Sequence, residues 1–475
     1  MKFSGYTHRF LARFVIEAKT PLAVGSGEKD IITDALVATD VNGLPYIPGT
    51  AIAGVVRHMI DDIEREKDPI RFEKMKERER LSSSFFGYQD KTDGGRGSEI
   101  IFTEAKIINS NGKVIDGMNL DAIHSDSLLR NYAELPIRQH VNINEKGANA
   151  DHGKFDEQVC FAGTRFCFEM EMVAKDEAID NFKNILEQVK SQTFRIGSGT
   201  RCGFGEIDVV DLQTRILDLT NNEQLKTYLD KSSALNSDFW NKECQKPEKN
   251  KDNEGWVKYE LNLTPEDFFL FGSGFGDEEV DMTPVKEKKV IWKDGKGEMS
   301  DELVLIPATS LKGALAHRTA FHYNRLKERF AGCIGEKEPK VGNDNEAVQA
   351  LFGYENQKEK KQVRGNLLFS DVIEEKKLDD KILNHVAIDR FTGGAIDGAL
   401  FSEKTTYGKG HNFTFTILAN QKALSGDKIQ ESLEAALKDI CKGLLPLGGG
   451  VNRGNGMFTG TLKRDDNIIY PTKEV

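Results

Sequence analysis

A chain that repeats itself in order must fold as two like units, and this one repeats over most of its length. Residues 43–60, GLPYIPGTAIAGVVRHMI, return as residues 305–321, LIPATSLKGALAHRTAF. Ile306, Pro307, Thr309, Gly313 and His317 answer Ile47, Pro48, Thr50, Gly54 and His58. In each copy a strand-like run ends at Pro, which cannot continue a ladder and suits a helix start, and the hydroxyl residue after it stands where an N-cap belongs. The open helix N-terminus then presents unpaired N–H groups and the positive end of the dipole, favourable ground for a phosphate.

The other correspondences keep the same order. Thr20, Pro21 and the Gly-Ser-Gly at 25–27 return as Thr264, Pro265 and Gly-Ser-Gly at 272–274, with Asp34 and Asp281 after them. Phe-Gly-Tyr stands at 86–88 and at 352–354, and Arg-Gly at 96–97 and 364–365 leads into SEIIFTEA and NLLFSDV. HVNIN from His140 pairs with HVAID from His385; each runs through a Gly-rich polar stretch into an aromatic strand, FCFEMEM or FTFTIL. This spacing predicts a long β-hairpin in each unit, with Phe155 and Phe401 on the return limbs. Each unit closes with an amphipathic helix, carried by Phe182, Ile185 and Val189 or by Leu433, Leu437 and Ile440. A Gly-rich loop follows. Gly197, Gly199, Gly203 and Gly205 answer Gly448, Gly450, Gly454 and Gly456, with Arg201 and Arg453 between the pairs.

Strand, helix, strands, hairpin, helix, loop, strand is the order of a βαββαβ unit. The expected fold class is α+β: two tandem ferredoxin-like or RNA-recognition-like domains, each with a long inserted hairpin. Boundaries fall at 1–215 and 257–475, with the polar, charge-dense stretch 216–256 read as a linker. Residues 61–80 read as a solvated helical extension.

A hydrophobic content of 38% beside 30% charged residues describes an ordinary globular protein with material for two cores. No run approaches the roughly 20 apolar residues of a membrane span, and His8, Arg9, Arg13 and Glu17 interrupt the N-terminal apolar residues, which excludes a signal peptide. A cytoplasmic location and no membrane partner are expected. The six cysteines form no C-x-x-C pair, so they read as buried free thiols without disulfides or zinc. The net charge of −11 argues against loose coating of nucleic acid, though not against a local basic groove.

Neither Gly-rich loop is followed by Gly-Lys-Ser/Thr, which excludes a Walker loop, and neither opens a helix after a strand, as a dinucleotide fingerprint requires. Glycines let the main chain approach a phosphate backbone, and the embedded Arg adds charge-assisted contacts. A tight turn needing positive φ is the alternative for any single loop. Asp34 and Asp281 either serve turns or hold a divalent ion or a ribose hydroxyl. His58 and His317 share a helix position but have no triad beside them.

With these residues assembled, the chain resembles the RAMP superfamily of CRISPR-associated proteins, in particular the backbone subunits of type III effector complexes. G-L-P-Y-I-P-G-T-x-I-x-G-x-x-R, ending at Arg57, is similar to that family's G-x-P-Y-I-P-G-S-S-L-K-G-x-L-R, and the terminal Gly-rich loops look like its defining feature. Two such units in one chain resemble the fused double-backbone proteins of type III-D systems. The resemblance implies a ribonucleoprotein subunit of antiviral defence that binds guide (CRISPR) RNA and cleaves complementary target RNA at two sites. Its partners would be other RAMP backbone subunits and the large polymerase-like subunit of the complex. Under it the hairpins are thumbs that displace target bases, with Phe155 and Phe401 on them. Asp34 and Asp281 are the catalytic and metal-holding residues, using Mg²⁺ or Mn²⁺, and Thr50, Arg57, Lys312, Gly197, Gly199, Arg201, Gly203, Gly448, Gly450, Arg453 and Gly454 are the RNA-binding ones. The chain departs from the pattern where Ala53 replaces the helix Lys that Lys312 supplies in the second unit, and where the helix Arg shifts from Arg57 to Arg318. Asp34 precedes Pro48 by 14 residues and Asp281 precedes Pro307 by 26, an insertion of 12 that sets Asp281 apart. The rival reading is a non-catalytic RNA-binding backbone subunit. A precursor-processing endonuclease lacks a His/Lys constellation.

Overall fold

The computed structural model describes residues 5–30, 33–90, 94–144, 147–240, 255–356 and 361–471. In the first unit β1 (His8–Ala18), α1 (Gly49–Lys67), β2 (Ile100–Phe102), the hairpin β3 (Ile137–Ile143) and β4 (Asn149–Gln158), β5 (Arg165–Ala174), α2 (Ile179–Lys190) and β6 (Ile207–Asp218) follow in turn. The sheet order is β2–β5–β1–β6, with every pairing antiparallel. Alternation along β1 sends Phe10, Ala12, Phe14 and Ile16 into one core with Ile52 and Val56 of α1 and Phe182 and Ile185 of α2. Phe14 faces Phe168 across the β1–β5 ladder, ring centroids 4.8 Å apart.

The second unit repeats this. It comprises β7 (Trp256–Pro265), the hairpin β8 (Val290–Lys293) and β9 (Lys296–Met299), α4 (Ala308–Leu326), after a short α3 (Asn222–Leu229) between the units, then β10 (Leu367–Phe369), the hairpin β11 (Asp380–Ile388) and β12 (Ala395–Tyr407), β13 (Phe413–Asn420), α5 (Ile429–Cys441), β14 (Phe458–Arg464) and β15 (Asn467–Tyr470). Its sheet runs β10–β13–β7–β14–β15. Tyr259, Leu261 and Leu263 of β7 meet Leu311 and Leu315 of α4 and Leu433 and Leu437 of α5 in a second core. Among the described residues no helix is long and apolar enough to cross a membrane.

Four expectations need correction. Thr50 and Thr309 are not N-caps: helices α1 and α4 are capped in position by Pro48 and Pro307, without a side-chain hydrogen bond. For α4 the missing acceptor comes from outside the helix, since the Ala308 N–H donates to Asp371 Oδ1 at 2.8 Å. The stretch 216–240 is not a free linker. It completes β6, forms α3 and lies over the back of the first sheet, where Trp240 is buried against Leu11 and Leu217 and its indole donates to Glu169 Oε1 at 2.6 Å. Its many charges concealed the few apolar anchors that do this, and residues 241–254 of that stretch lie outside the described residues. The extension 61–80 is not wholly solvated: Phe72 is buried beneath the guanidinium groups of Arg65 and Arg80. Of the cysteines, Cys160, Cys167 and Cys441 are buried thiols, pushed up to between about 11 and about 12 by desolvation. Cys202 and Cys333 are part-exposed, and Cys244 lies outside the described residues.

The insertion after Asp281 forms the β8–β9 hairpin, which docks on the first unit. Trp292 donates from its indole to the Gly163 carbonyl at 2.8 Å and carries the Arg165 guanidinium 4.2 Å from its ring centre. The N–H groups of Val290 and Gly297 donate to the carbonyls of Ala162 (2.8 Å) and Ser110 (2.9 Å). The extra residues therefore join the two units.

Candidate RNA-facing sites at the two hairpins

Each predicted carboxylate lies against the return limb of its own unit's hairpin, at matching positions. The Asp34 N–H donates to Asp156 Oδ1 at 2.8 Å while Asp34 Oδ2 accepts from the Asp156 N–H at 3.2 Å. Asp281 makes a similar reciprocal contact with Ser402: its N–H donates to the Ser402 carbonyl at 3.1 Å and lies 3.2 Å from the Ser402 hydroxyl, and its Oδ2 accepts from the Ser402 N–H at 2.8 Å and hydroxyl at 3.1 Å. Asp156 and Ser402 directly follow Phe155 and Phe401, so the insertion has left Asp281 in register with Asp34. Both carboxylates are exposed.

The hairpins carry a second repeated group that sequence reasoning passed over. His140 stacks on Phe155 across the β3–β4 ladder and His385 on Phe401 across β11–β12, centroids 4.8 Å apart in both. Each imidazole Nε2 lies 3.1 Å from a carboxylate two residues past its Phe, Glu157 or Glu403. The paired HVNIN and HVAID segments with a Phe some fifteen residues on were the available signal. Beyond this the sites diverge. Glu157 accepts from the Ser198 hydroxyl at 3.2 Å. Glu403, fully buried, pairs with Arg453 and accepts from Asn455 Nδ2 at 3.2 Å, and Arg453 lies over the Phe401 ring. Lys404, next along β12, pairs with Asp277 at 2.8 Å, and this hydrogen bond with the N–H groups of Glu279 and Val280 holds the Asp277 carboxyl down to about 2.

The Gly-rich loops are first of all turns. Gly197, Gly199, Gly203 and Gly205 have φ of +94°, +62°, +116° and +76°; Gly448, Gly450, Gly454 and Gly456 have +91°, +68°, +96° and +77°. A Cβ at Gly197 or Gly448 would stand 2.4 Å from the carbonyl oxygen of Ala23 or Leu270. Their surroundings differ. The first loop is pressed against the second unit: Arg201 Nε donates to the Gly365 carbonyl at 2.6 Å, Lys312 Nζ lies 3.5 Å from Cys202 Sγ, and a Cβ at Gly203 would meet Asp371 Oδ1 at 2.2 Å. Burial, with Arg364 alongside, pushes the Arg201 guanidinium down to about 10. The second loop stays at the surface, and nothing lies within 4 Å of a Cβ at Gly454. Arg57 is paired with Glu77 at 2.6 Å on α1, and Thr50 is exposed in the first turn of that helix. The structure thus brings Asp34 and Asp281 to the hairpins, places Arg201, Lys312 and Gly203 in the seam between units, and leaves Arg453 and Gly454 outside.

The seam itself is ionic. Arg138, at the base of the first hairpin, is buried between Glu287 (Nη2 to Oε2, 2.9 Å) and Asp371 (3.1 Å) of the second unit. The two carboxylates hold its guanidinium protonated, raising it despite desolvation. Arg195 reaches the Phe369 carbonyl and the Ser370 hydroxyl (3.0 Å), and Glu206 accepts from that same hydroxyl.

The sequence model of the RAMP superfamily matches residues 15–208 and 269–459. No curated protein matches the chain.

Proposed function

Since the chain belongs to the RAMP superfamily, in two copies that fill its two units, which points to a CRISPR-associated complex, we propose that it is a type III backbone subunit that holds guide RNA and cuts paired target RNA at two places. In this reading each unit is a ferredoxin-like domain, as the sheet order with central β1 or β7 suggests, and each hairpin is a thumb. The observation that carries the reading is the shared bond in which Oδ2 of Asp34 and of Asp281 accepts from the N–H of Asp156 or Ser402 on its hairpin, kept across an insertion of 12 residues.

Each Asp places one oxygen, Oδ2, on the hairpin backbone. Among the described residues no group of three or more His, Cys, Asp or Glu stands ready for a metal. A divalent ion of the Mg²⁺ kind fits such a sparse donor set, because it is commonly held by one or two carboxylates together with substrate phosphates. Bound there, it would supply charge neutralisation at the scissile phosphate. The chain's own residues position the RNA: the exposed face of Phe155 offers a surface for a displaced base, and His140, stacked behind it, fixes the ring.

The rival reading, a non-catalytic backbone subunit, draws on the same hydrogen bonds, since a carboxylate that accepts from a hairpin N–H also latches the hairpin. Asp34→Asn separates the two, because the amide oxygen still accepts from Asp156 while the anionic ligand is gone. In reconstituted complex with Mg²⁺ and complementary RNA, two cuts are expected from the wild type, with one lost in Asp34→Asn and the other in Asp281→Asn at unchanged guide binding. Both fragments at wild-type rate from Asp34→Asn would leave the latch as the sole role of that residue.

A further inference from the structure

The two hairpins offer Asp34 and Asp281 the same backbone and different side chains. The residue after each Asp is tied to the hairpin in the same way: the Gln158 N–H donates to the Ala35 carbonyl at 2.9 Å, and the Lys404 N–H to the Met282 carbonyl at 2.8 Å. Counted from Phe155 and Phe401, Asp156 and Gln158 therefore answer Ser402 and Lys404, and alternate residues of a strand share a face. Asp34 meets a second carboxylate where Asp281 meets a hydroxyl.

In the first unit Asp156 Oδ1 accepts from the Asp34 N–H at 2.8 Å and Asp34 Oδ2 from the Asp156 N–H at 3.2 Å, so each carboxylate reaches across the other's backbone. Among the described residues neither carboxylate forms an ion pair. Lys154, two residues back on β4, lies over the Phe275 ring, 5.3 Å from its centre, and Gln158 turns its Oε1 to the Val37 N–H at 3.1 Å. Across the β3–β4 ladder Gln139 donates from Nε2 to Asp156 Oδ2 at 3.3 Å, while its Oε1 is buried with no donor among the described residues. The second unit's loop lies against this side chain, since a Cβ on Gly274 would stand 3.2 Å from Gln139 Cβ. Two like charges brought together without a cation repel, and carboxylate and amide oxygens are the donors that hard divalent cations take. The second unit is built otherwise. Ser402 gives Asp281 Oδ2 an N–H and a hydroxyl donor, and Asn384, opposite Ser402 on β11, is exposed. Lys404 brings a fixed ammonium to the same face, 2.8 Å from Asp277 and 3.7 Å from Glu279.

We propose that Asp34 and Asp156, the latter oriented by Gln139, form a two-carboxylate seat for a divalent cation of the Mg²⁺ or Mn²⁺ kind that fills before RNA arrives, whereas Asp281, beside Ser402 and Lys404, takes its cation only together with substrate phosphates. The two sites of one chain then differ in their demand for metal, because affinity for such ions follows the number of charged ligands. This rests on the reading of Asp34 and Asp281 as metal-holding residues and adds Asp156 to the first of them.

The test titrates Mn²⁺ into the full chain without RNA, with free Mn²⁺ read by electron paramagnetic resonance, and follows both cuts of the reconstituted complex against Mg²⁺ concentration. Uptake of a single Mn²⁺ per chain by about 1 mM is expected, the range of weak oxygen-ligand sites. Asp156→Ser and Ser402→Asp exchange the residues that the two units already carry. Asp156→Ser should weaken that uptake at least about tenfold, by loss of one charged ligand, and raise the Mg²⁺ needed for the cut that Asp34→Asn abolishes. Ser402→Asp should add a second bound Mn²⁺ and lower the Mg²⁺ needed for the other cut, a gain that misfolding cannot produce should Asp156→Ser melt low. A wild type that takes up no Mn²⁺, or uptake that neither exchange alters, would overturn the proposal and leave the two cuts standing. Uptake that follows both exchanges in a complex that cuts no RNA would keep the cation seat and overturn the nuclease reading instead.

Discussion

Arg138→Leu writes into the first unit the residue that the second carries at the same position, and it is expected to be severe. The side chain is 4% exposed, and its removal leaves Glu287 and Asp371, at 4% and 1%, without the guanidinium that pairs with both. Breaking a buried ion pair from one side typically costs about 3–5 kcal/mol, because the stranded charge keeps its desolvation penalty. At about 1.4 kcal/mol per decade that is roughly a hundred- to several-thousandfold in the equilibrium that couples the units. Asp371 still accepts from the Ala308 N–H, which places the expectation at the lower end. The assay is urea unfolding followed by tryptophan fluorescence, for which the three tryptophans are well distributed: Trp240 reports the first unit, Trp292 the docked hairpin and Trp256 the second sheet. The variant should show the Trp292 signal lost before the others. Arg138→Leu with Glu287→Leu should lose less than Arg138→Leu alone, since one stranded charge has been replaced by apolar volume. A loss below about 1 kcal/mol in the single variant, with the three signals still coincident, would mean that water reaches these carboxylates and that the seam is not held by this network.

Two further outcomes follow from the geometry. Gly163→Ala and Gly410→Ala impose the same strain at φ of +80° and +84°, but only the first Cβ meets a neighbour, the Val290 carbonyl oxygen at 2.0 Å; thermal melts should therefore show Gly163→Ala well below Gly410→Ala, and equal melting points would show that the β8–β9 hairpin gives way freely. Hydrogen bonds from Arg329 and Lys340 hold the Glu346 carboxyl down from 4.5 to about 2, so the stability it adds is present above about pH 4.5 and is lost as pH falls toward 2. Glu346→Gln should flatten the acid limb of the stability curve by well under about 1 kcal/mol, the group being over a third exposed, and an unchanged limb would show that the pairs are not formed in solution.

Much of the fold was legible because duplication doubles every weak signal. One Gly-rich loop or one Asp before a strand carries little; two of each in the same order fixed two units, their central helices and their hairpins. What stayed hidden was the relation between the units. The inserted 12 residues looked like a disturbance of Asp281, because spacing along a chain does not say where an insertion goes; VIWKDGKGEM leaves the site as a hairpin and spends Trp292 on the other unit. Arg138, Glu287 and Asp371 lie far apart in sequence, and nothing local marks a charge that a distant partner will bury. The stretch 216–240 misled by averaging: its polarity is real, but Leu235 and Trp240 suffice to hold it on a sheet whose back face, with Leu11 and Val15, needs cover.

The Gly-rich loops show how a duplicated element acquires two occupations without changing its backbone. All eight φ values agree between copies, so the turn is inherited whole. Arg201 stands two residues after Gly199 and Arg453 three after Gly450, and that single step turns one guanidinium outward to the Gly365 carbonyl and the other inward to the buried Glu403. Glu403 in turn lies against His385, which stacks on Phe401, so the second hairpin is tied to its own loop by an ion pair, whereas the first is tied to its loop by the neutral bond from Ser198 to Glu157 and sends its buried ion pair, through Arg138, to the neighbouring unit. The first hairpin thus finds its buried ion pair across the seam and the second finds its own within the unit, between Glu403 and Arg453.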